Sequence, residues 1–190
     1  ISYTLNGAGQ RLTEEVRDAT SALTFRRSHV YDDLGRLIEE QGTAGQVTSF
    51  DYDEAGNLIE IEDPVGRITE QAFDELNRLA SITDPALSLT ELEYDDLDNL
   101  LSVTDPRALA TSYAYNGFGE QVSQVSPDTG TSSSPRDAAG NLDTSTDARN
   151  ETGTYTHDAL NRVTEIEYGD DTVTLGYDAG TNGHGRLTSV

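Results

Sequence analysis

The sequence predicts an all-β fold, a continuous antiparallel sheet built from 21-residue β-hairpin repeats. Three observations predict it. An aromatic residue recurs at Tyr31, Tyr52, Phe73, Tyr94 and Tyr115, each 21 residues after the last. Four residues beyond it stand Gly35, Gly56, Asn77, Asp98 and Gly119, drawn from the residue types that tolerate a left-handed backbone. Between these columns the apolar residues alternate with polar ones, the period of a half-buried strand. A motif at a fixed period is an architecture rather than a repeated site.

In order along one unit, the aromatic closes a strand and the next residue opens a turn. That position holds Asp32, Asp53, Asp74, Asp95 and Asn116, whose side chains suit capping of a tight bend. Past the bend an extended segment follows: Ile59 and Ile61 alternate with Glu60 and Glu62, and Leu101 and Val103 with Ser102 and Thr104. It ends at Asp63-Pro64, Asp84-Pro85 and Asp105-Pro106, where proline cannot continue a ladder. A second turn then leads into a strand carrying Thr48, Thr69, Thr90 and Thr111 at one column. Phe50, Leu92, Tyr113 and Tyr155 lie two residues later, on the face of the threonine and of the next aromatic. Each unit is therefore two strands and two turns. A lone hairpin buries too little to be stable, whereas stacked hairpins support one another.

Copies start near residues 5, 31, 52, 73, 94, 115, 136, 157 and 177, so the array is expected to run over 1–190 with no separate catalytic domain. From 126 to 156 the period persists but the apolar columns lapse: Arg136 stands at the aromatic position, and Asp143 and Ser145 stand where another copy has isoleucine. This stretch is expected to be less stable, or to be compensated by a neighbour or by glycan. Asn150 opens the sequon Asn150-Glu151-Thr152, a possible glycosylation site.

The composition narrows the function. Of 190 residues only 34% are hydrophobic, and the formal net charge is −23. All 12 basic residues are arginine. Such acidity argues against nucleic acid as a partner, because phosphate binding needs basic patches. It is compatible with a saline habitat or with a GC-biased genome. With no cysteine there are no disulfides or thiolate metal sites. No apolar run approaches the roughly 20 residues that span a bilayer. The chain opens on Ile1 and has no visible signal peptide, which reads as an interior cut.

The segments YDDLGRLIEE at Tyr31, YDEAGNLIEIEDPVGRIT at Tyr52 and HDALNRVTEI at His157 resemble YD repeats, also called RHS repeats. The resemblance extends from about Tyr3 to Val190. It is to a family found in bacterial polymorphic toxins, insecticidal toxin complexes, wall-associated proteins and teneurins. It implies a ribbon of hairpins that spirals into a hollow β-shell. In the toxins such a shell encloses an effector; in teneurins it displays adhesion surfaces, and sugar binding is also attributed to these repeats. The family's closing core motif and effector are absent from this sequence, and the copies are too few to close a large shell. The expected partners are therefore further repeats of the same chain or head-to-tail copies of itself, pairing at the open strand edges.

Other chemistry competes weakly with the scaffold reading. His29, His157 and His184 look like packing and turn residues. The carboxylate pairs Asp51 with Asp53 and Asp95 with Asp96 would suit glycoside cleavage, but they fall in repeat columns where turn capping explains them. No cofactor is expected; weak or diffuse Ca2+ binding is, although the aspartates lack the spacing of a dedicated calcium loop. The tyrosine column could stack on sugar rings or pack rung upon rung. The sequence thus reads as a non-enzymatic, secreted or cell-surface scaffold, part of a shell or a filament. The alternatives are a carbohydrate- or cell-surface-binding adhesion module and a toxin-encapsulating segment without its effector.

Overall fold

Alternating apolar and polar residues interrupted every ten or eleven residues by turn formers produce short strands and nothing else. The computed structural model describes residues 1–190 and contains no helix. Its strands are β1 (Ser2–Leu5), β2 (Arg11–Arg17), β3 (Leu23–Tyr31), β4 (Leu37–Gln41), β5 (Val47–Tyr52), β6 (Leu58–Glu62), β7 (Ile68–Phe73), β8 (Leu79–Thr83), β9 (Leu89–Tyr94) and β10 (Leu100–Thr104). There follow β11 (Ala110–Tyr115), β12 (Gln121–Ser126), β13 (Gly130–Ser133), β14 (Thr144–Thr146), β15 (Thr152–His157), β16 (Val163–Tyr168), β17 (Asp171–Thr174), β18 (Gly176–Tyr177) and β19 (Leu187–Ser189). Seventeen of them belong to an antiparallel sheet, and β18 and β19 form a separate pair. No helix is long and apolar enough to cross a membrane.

The residues group into two units, Ile1–Glu91 and Leu92–Val190. In the first, every strand pairs with the one that follows it, from β1 with β2 to β8 with β9. In the second the same rule runs from β10 to β17. Successive pairing of neighbours is what short turns permit.

The odd period of 21 needs an explanation, because side chains change face at every residue. The register supplies it. Asp51 opposes Glu60 and Tyr52 opposes Leu58, so Ile59 is left without a partner. Similar slips bypass Ile38, Ala80, Val122 and Thr164. The other side of the ribbon is more regular: Glu60, Ile61 and Glu62 oppose Glu70, Thr69 and Ile68 in unbroken register, and a slip there falls between β2 and β3, at Val16 and Arg17. One β-bulge per repeat absorbs the odd residue. Following the pairs from Tyr52 through Phe50, Ile61, Thr69 and Gln71 leads to Phe73 on the same face. Without the bulge the aromatic column would switch faces at each repeat.

The result is a single layer. No apolar residue is fully buried in either unit. Cohesion therefore comes from the backbone ladder and from cross-strand side-chain pairs rather than from a packed core.

The weak stretch shows its weakness as shortened strands. β13 and β14 meet at one pair, Ser133 opposite Thr146, and the turn between them is closed by a lone bridge, Arg136 with Leu142. Local compensation is visible nearby. Gly153 lies opposite Tyr168, whose ring leaves no room for a Cβ there. The Tyr155 and Tyr168 rings meet edge to face at 6.5 Å, and their hydroxyls bond at 2.8 Å. The step of 20 before Tyr177 also has a local cause. Tyr168 pairs with Asp171 across a two-residue loop, with Gly169 at φ 56° in its first position, as a tight primed turn requires.

Candidate functional site: the turn edge and the link between repeats

Each turn following an aromatic is built from five residues. In the turn at Asp32, one carboxylate oxygen accepts the N–H groups of Leu34 at 3.0 Å and Arg36 at 2.8 Å. Gly35 N–H donates to the Asp32 carbonyl at 3.0 Å, and Asp32 N–H donates to the Arg36 carbonyl at 2.9 Å. The fourth residue must take positive φ: 80° at Gly35, 94° at Gly56, 61° at Asn77, 65° at Asp98 and 76° at Gly119. This is a type I turn closed by a left-handed residue.

At Asp63, Asp84, Asp105 and Asp147 the second turn of the repeat has the same construction. Asp63 accepts from Val65 and Arg67 as Asp32 does from Leu34 and Arg36. The left-handed residues there are Gly66, Leu87, Ala108 and Asn150. Leucine and alanine are poor choices for that conformation, and the sequence pattern held no sign of them.

The capping aspartates are held below the usual carboxylate range. Backbone N–H donation from the fifth residue of the turn is the main cause at Asp32, Asp63, Asp74, Asp84 and Asp105. A side-chain donor in the turn is the main cause at Asp53, Asp137 and Asp158. The Arg162 guanidinium is pushed up because Asp178 and Asp158 both accept from it.

That fifth residue also joins one repeat to the next. Arg36 donates to Asp32 at 2.7 Å, reaches the Asp53 carbonyl at 3.1 Å, and lies over the Tyr52 ring with its central carbon 4.8 Å from the centroid. Arg162 repeats this with Asp158, Asp178 and the Tyr177 ring, at 4.3 Å. Where asparagine replaces arginine an amide bridge takes over: Asn57 donates to Asp53 and to Asn77 at 2.9 Å, and Asn141 to Asp137 and to Asn161 at 3.0 Å. The tyrosine hydroxyls complete the link. Tyr52 donates to the Leu37 carbonyl, Tyr115 to Leu100 and Tyr177 to Val163, at 2.8–2.9 Å. Tyr31 donates to Arg11 at 3.1 Å. Each acceptor is the first residue of a strand one repeat back, beside the bulge.

Two expectations change in detail. The faces of Tyr52 and Tyr177 carry a guanidinium rather than a neighbouring ring, so cation–π contacts replace rung-upon-rung stacking there. Arg136, which breaks the aromatic column, keeps the link with its charges exchanged. Its guanidinium pairs at 3.4 Å with Glu120, which stands in the arginine–asparagine column.

The remaining candidates are dispersed. His29 lies in β3 against Glu40, His157 ends β15, and His184 lies between β18 and β19. Asp53 caps a turn, whereas Asp51 lies within β5 opposite Glu60. Asn150 is exposed at a turn. No group of three or more His, Asp or Glu side chains is placed to hold a metal ion. A surface depression of about 550 Å³ is lined by Asn150, Glu151, Thr152, Tyr168, Gly169 and Asp171.

A ribbon of identical hairpins linked rung to rung by recurring side chains defines a repeat scaffold. The RHS Repeat family model matches residues 31–68, 52–86 and 94–131. Over these segments the chain belongs to the RHS-repeat family, also known as YD repeats. No curated protein matches it significantly. Among solved structures it is similar to TcdB2-TccC3 without its hypervariable C-terminal region, with a TM-score of 0.67 and 15% identity over 98% of this chain and 12% of that one. The TcdB2-TccC3-Cdc42 structure gives 0.68 and 14% over the same shares. A Tc holotoxin pore of Photorhabdus luminescens gives 0.50 and 24%, covering 93% of this chain and 10% of that one. These likenesses show the fold; the chain spans about an eighth of the length of the TcdB2-TccC3 chains.

Proposed function

We propose that the chain is a non-enzymatic scaffold segment of a secreted or cell-surface RHS-repeat protein, forming part of the wall of a shell or a filament. The observation that carries this reading is the link just described. The side chains that repeat most faithfully are spent on turns and on the next rung, and none of them converges on a reaction centre. The large toxin structures with this fold support a place in a wall built of many more repeats. Weak, diffuse Ca2+ association follows from the charge of −23, and exposed Asn150 would take a glycan in an export pathway.

A second reading has one observation in its favour. The depression beside Tyr168 sets an aromatic ring among Asn150, Thr152 and Asp171, a lining suited to a saccharide. Glycan-array binding tests both readings. Saturable binding lost in Tyr168→Ala, or in Tyr52→Ala with Tyr94→Ala, would make the chain an adhesion module. A heat-stable, protease-resistant assembly without glycan binding supports the scaffold.

A further inference from the structure

Between β14 and β17, within the second unit, three columns of the repeat change together. The column of Thr48, Thr69, Thr90 and Thr111 holds Gly153, that of Asp63, Asp84, Asp105 and Asp147 holds Tyr168, and that of Val47, Ile68, Leu89 and Ala110 holds Thr152. Departures from an otherwise consistent local pattern mark functional or strained sites. These departures meet in space. Gly153 is buried opposite Tyr168, whose ring takes the room that a Cβ would need. The ring is held by that glycine and by the Tyr155 hydroxyl, yet Tyr168 remains 47% exposed.

The depression beside this ring also contains the chain's only N-glycosylation sequon, Asn150-Glu151-Thr152. Asn150 is the left-handed residue of its turn, at φ 64°, where other copies have Gly66, Leu87 and Ala108. Asp147 closes that turn by accepting the N–H groups of Arg149 and Glu151, so the exposed Asn150 side chain is not spent on it. The hollow of about 550 Å³ falls within the span of about 300–1,000 Å³ usual for small-molecule sites. Its carboxylates are Asp171 and Glu151, the latter bridged to Arg149 at 2.9 Å, and no basic residue lines it.

We propose that the hollow is filled by the chain's own glycan: the first sugar attached at Asn150 folds back onto the Tyr168 ring. The C–H groups of a pyranose suit the electron-rich face of an aromatic ring, and its hydroxyls suit the Asp171 carboxylate as acceptor. An acidic lining favours a neutral sugar over an anionic one. An open hollow holds a free monosaccharide weakly, whereas attachment at its rim makes the contact intramolecular, at an effective concentration in the millimolar range. The sugar would then brace the turn from β14 to β15, beside the place where β13 and β14 meet at a single pair. The inference rests on the secreted or cell-surface reading for the supply of the glycan.

The test is the 190-residue chain secreted from a eukaryotic host, with its glycan trimmed enzymatically to one N-acetylglucosamine. Asn150 should carry the sugar, and the melting temperature should exceed that of Asn150→Gln by about 2–4 °C, the shift of one such contact in a chain of this size. The gain should survive in Tyr168→Phe, which keeps the ring but not the hydroxyl bond to Tyr155, and vanish in Tyr168→Ala. NMR gives a reading that needs no variant: ring current should displace the sugar's protons from their positions in a glycosylated peptide of residues 147–153. An Asn150 that stays unmodified, or a sugar with peptide-like signals and no effect on melting, overturns the proposal. So does saturable binding of free N-acetylglucosamine oligomers at Tyr168 that glycosylation leaves unchanged, which would assign the hollow to a foreign glycan. A native chain without sugar, beside a secreted one in which the sugar meets Tyr168, would count against export and uphold the contact.

Discussion

At the residue scale the tyrosine hydroxyl is the most economical link in the ribbon. It spans the gap to a strand one repeat back and satisfies a carbonyl beside a bulge, where the ladder is interrupted. A net hydrogen bond of this kind contributes about 1 kcal/mol. Tyr52→Phe should therefore lower stability by about 1 kcal/mol in denaturant unfolding. Phe73→Tyr should raise it by a similar amount, provided that the new hydroxyl reaches the Leu58 carbonyl. Equal stability of both variants and wild type would remove the hydroxyl from the account. The turn aspartates make a second prediction, with its sign set by the direction of their shifts. A carboxylate depressed in the folded state stabilises above its unfolded pKa and loses that contribution as pH falls through its folded value. The turns should thus weaken below about pH 4, near the unfolded aspartate value. Protonation of other acids first relieves the repulsion among 35 Asp and Glu residues. A thermal-melting profile against pH should accordingly pass through a maximum above pH 4 before it falls. A melting temperature that still rises below pH 3 would contradict the capping role.

At the scale of the element, the sequence pattern made some features plain and concealed others for physical reasons. The turn after each tyrosine was legible because Gly35, Gly56, Asn77, Asp98 and Gly119 share one backbone preference. The turn at the prolines was legible as a turn from its Asp-Pro pairs, but its shared geometry was not, since Leu87 and Ala108 have no left-handed preference of their own. The bulge was hidden because an unpartnered residue such as Ile59 looks like any other strand residue. Its trace was only the odd period. The link column was in view as Arg36, Asn57, Arg78, Asn99, Glu120, Asn141 and Arg162, but its partners lie in the next repeat, beyond the reach of a local pattern. Glu120 and Arg136 show that such partners change together. Glu120→Arg alone should destabilise by setting two guanidinium groups against each other. Adding Arg136→Tyr should recover the loss by recreating the arrangement of Arg36 and Tyr52. A double-mutant cycle with no coupling between the two positions would show that the exchanged pair carries no link.

At the scale of the whole molecule, a single-layer sheet without a buried core is an unusual way to be stable. Its turns, bulges and links are local and repeat from rung to rung, so stability should grow with the number of neighbours rather than with a central core. Such a ribbon suits a wall, since adding repeats adds surface without changing the construction. Electron microscopy of the native material, together with the intact mass of its polypeptide, tests the scaffold claim most directly. Hollow particles or fibres with the repeats forming their walls are the predicted result. Only dispersed particles of the size of a 20.6 kDa chain, with no ordered assembly at any concentration, would contradict it.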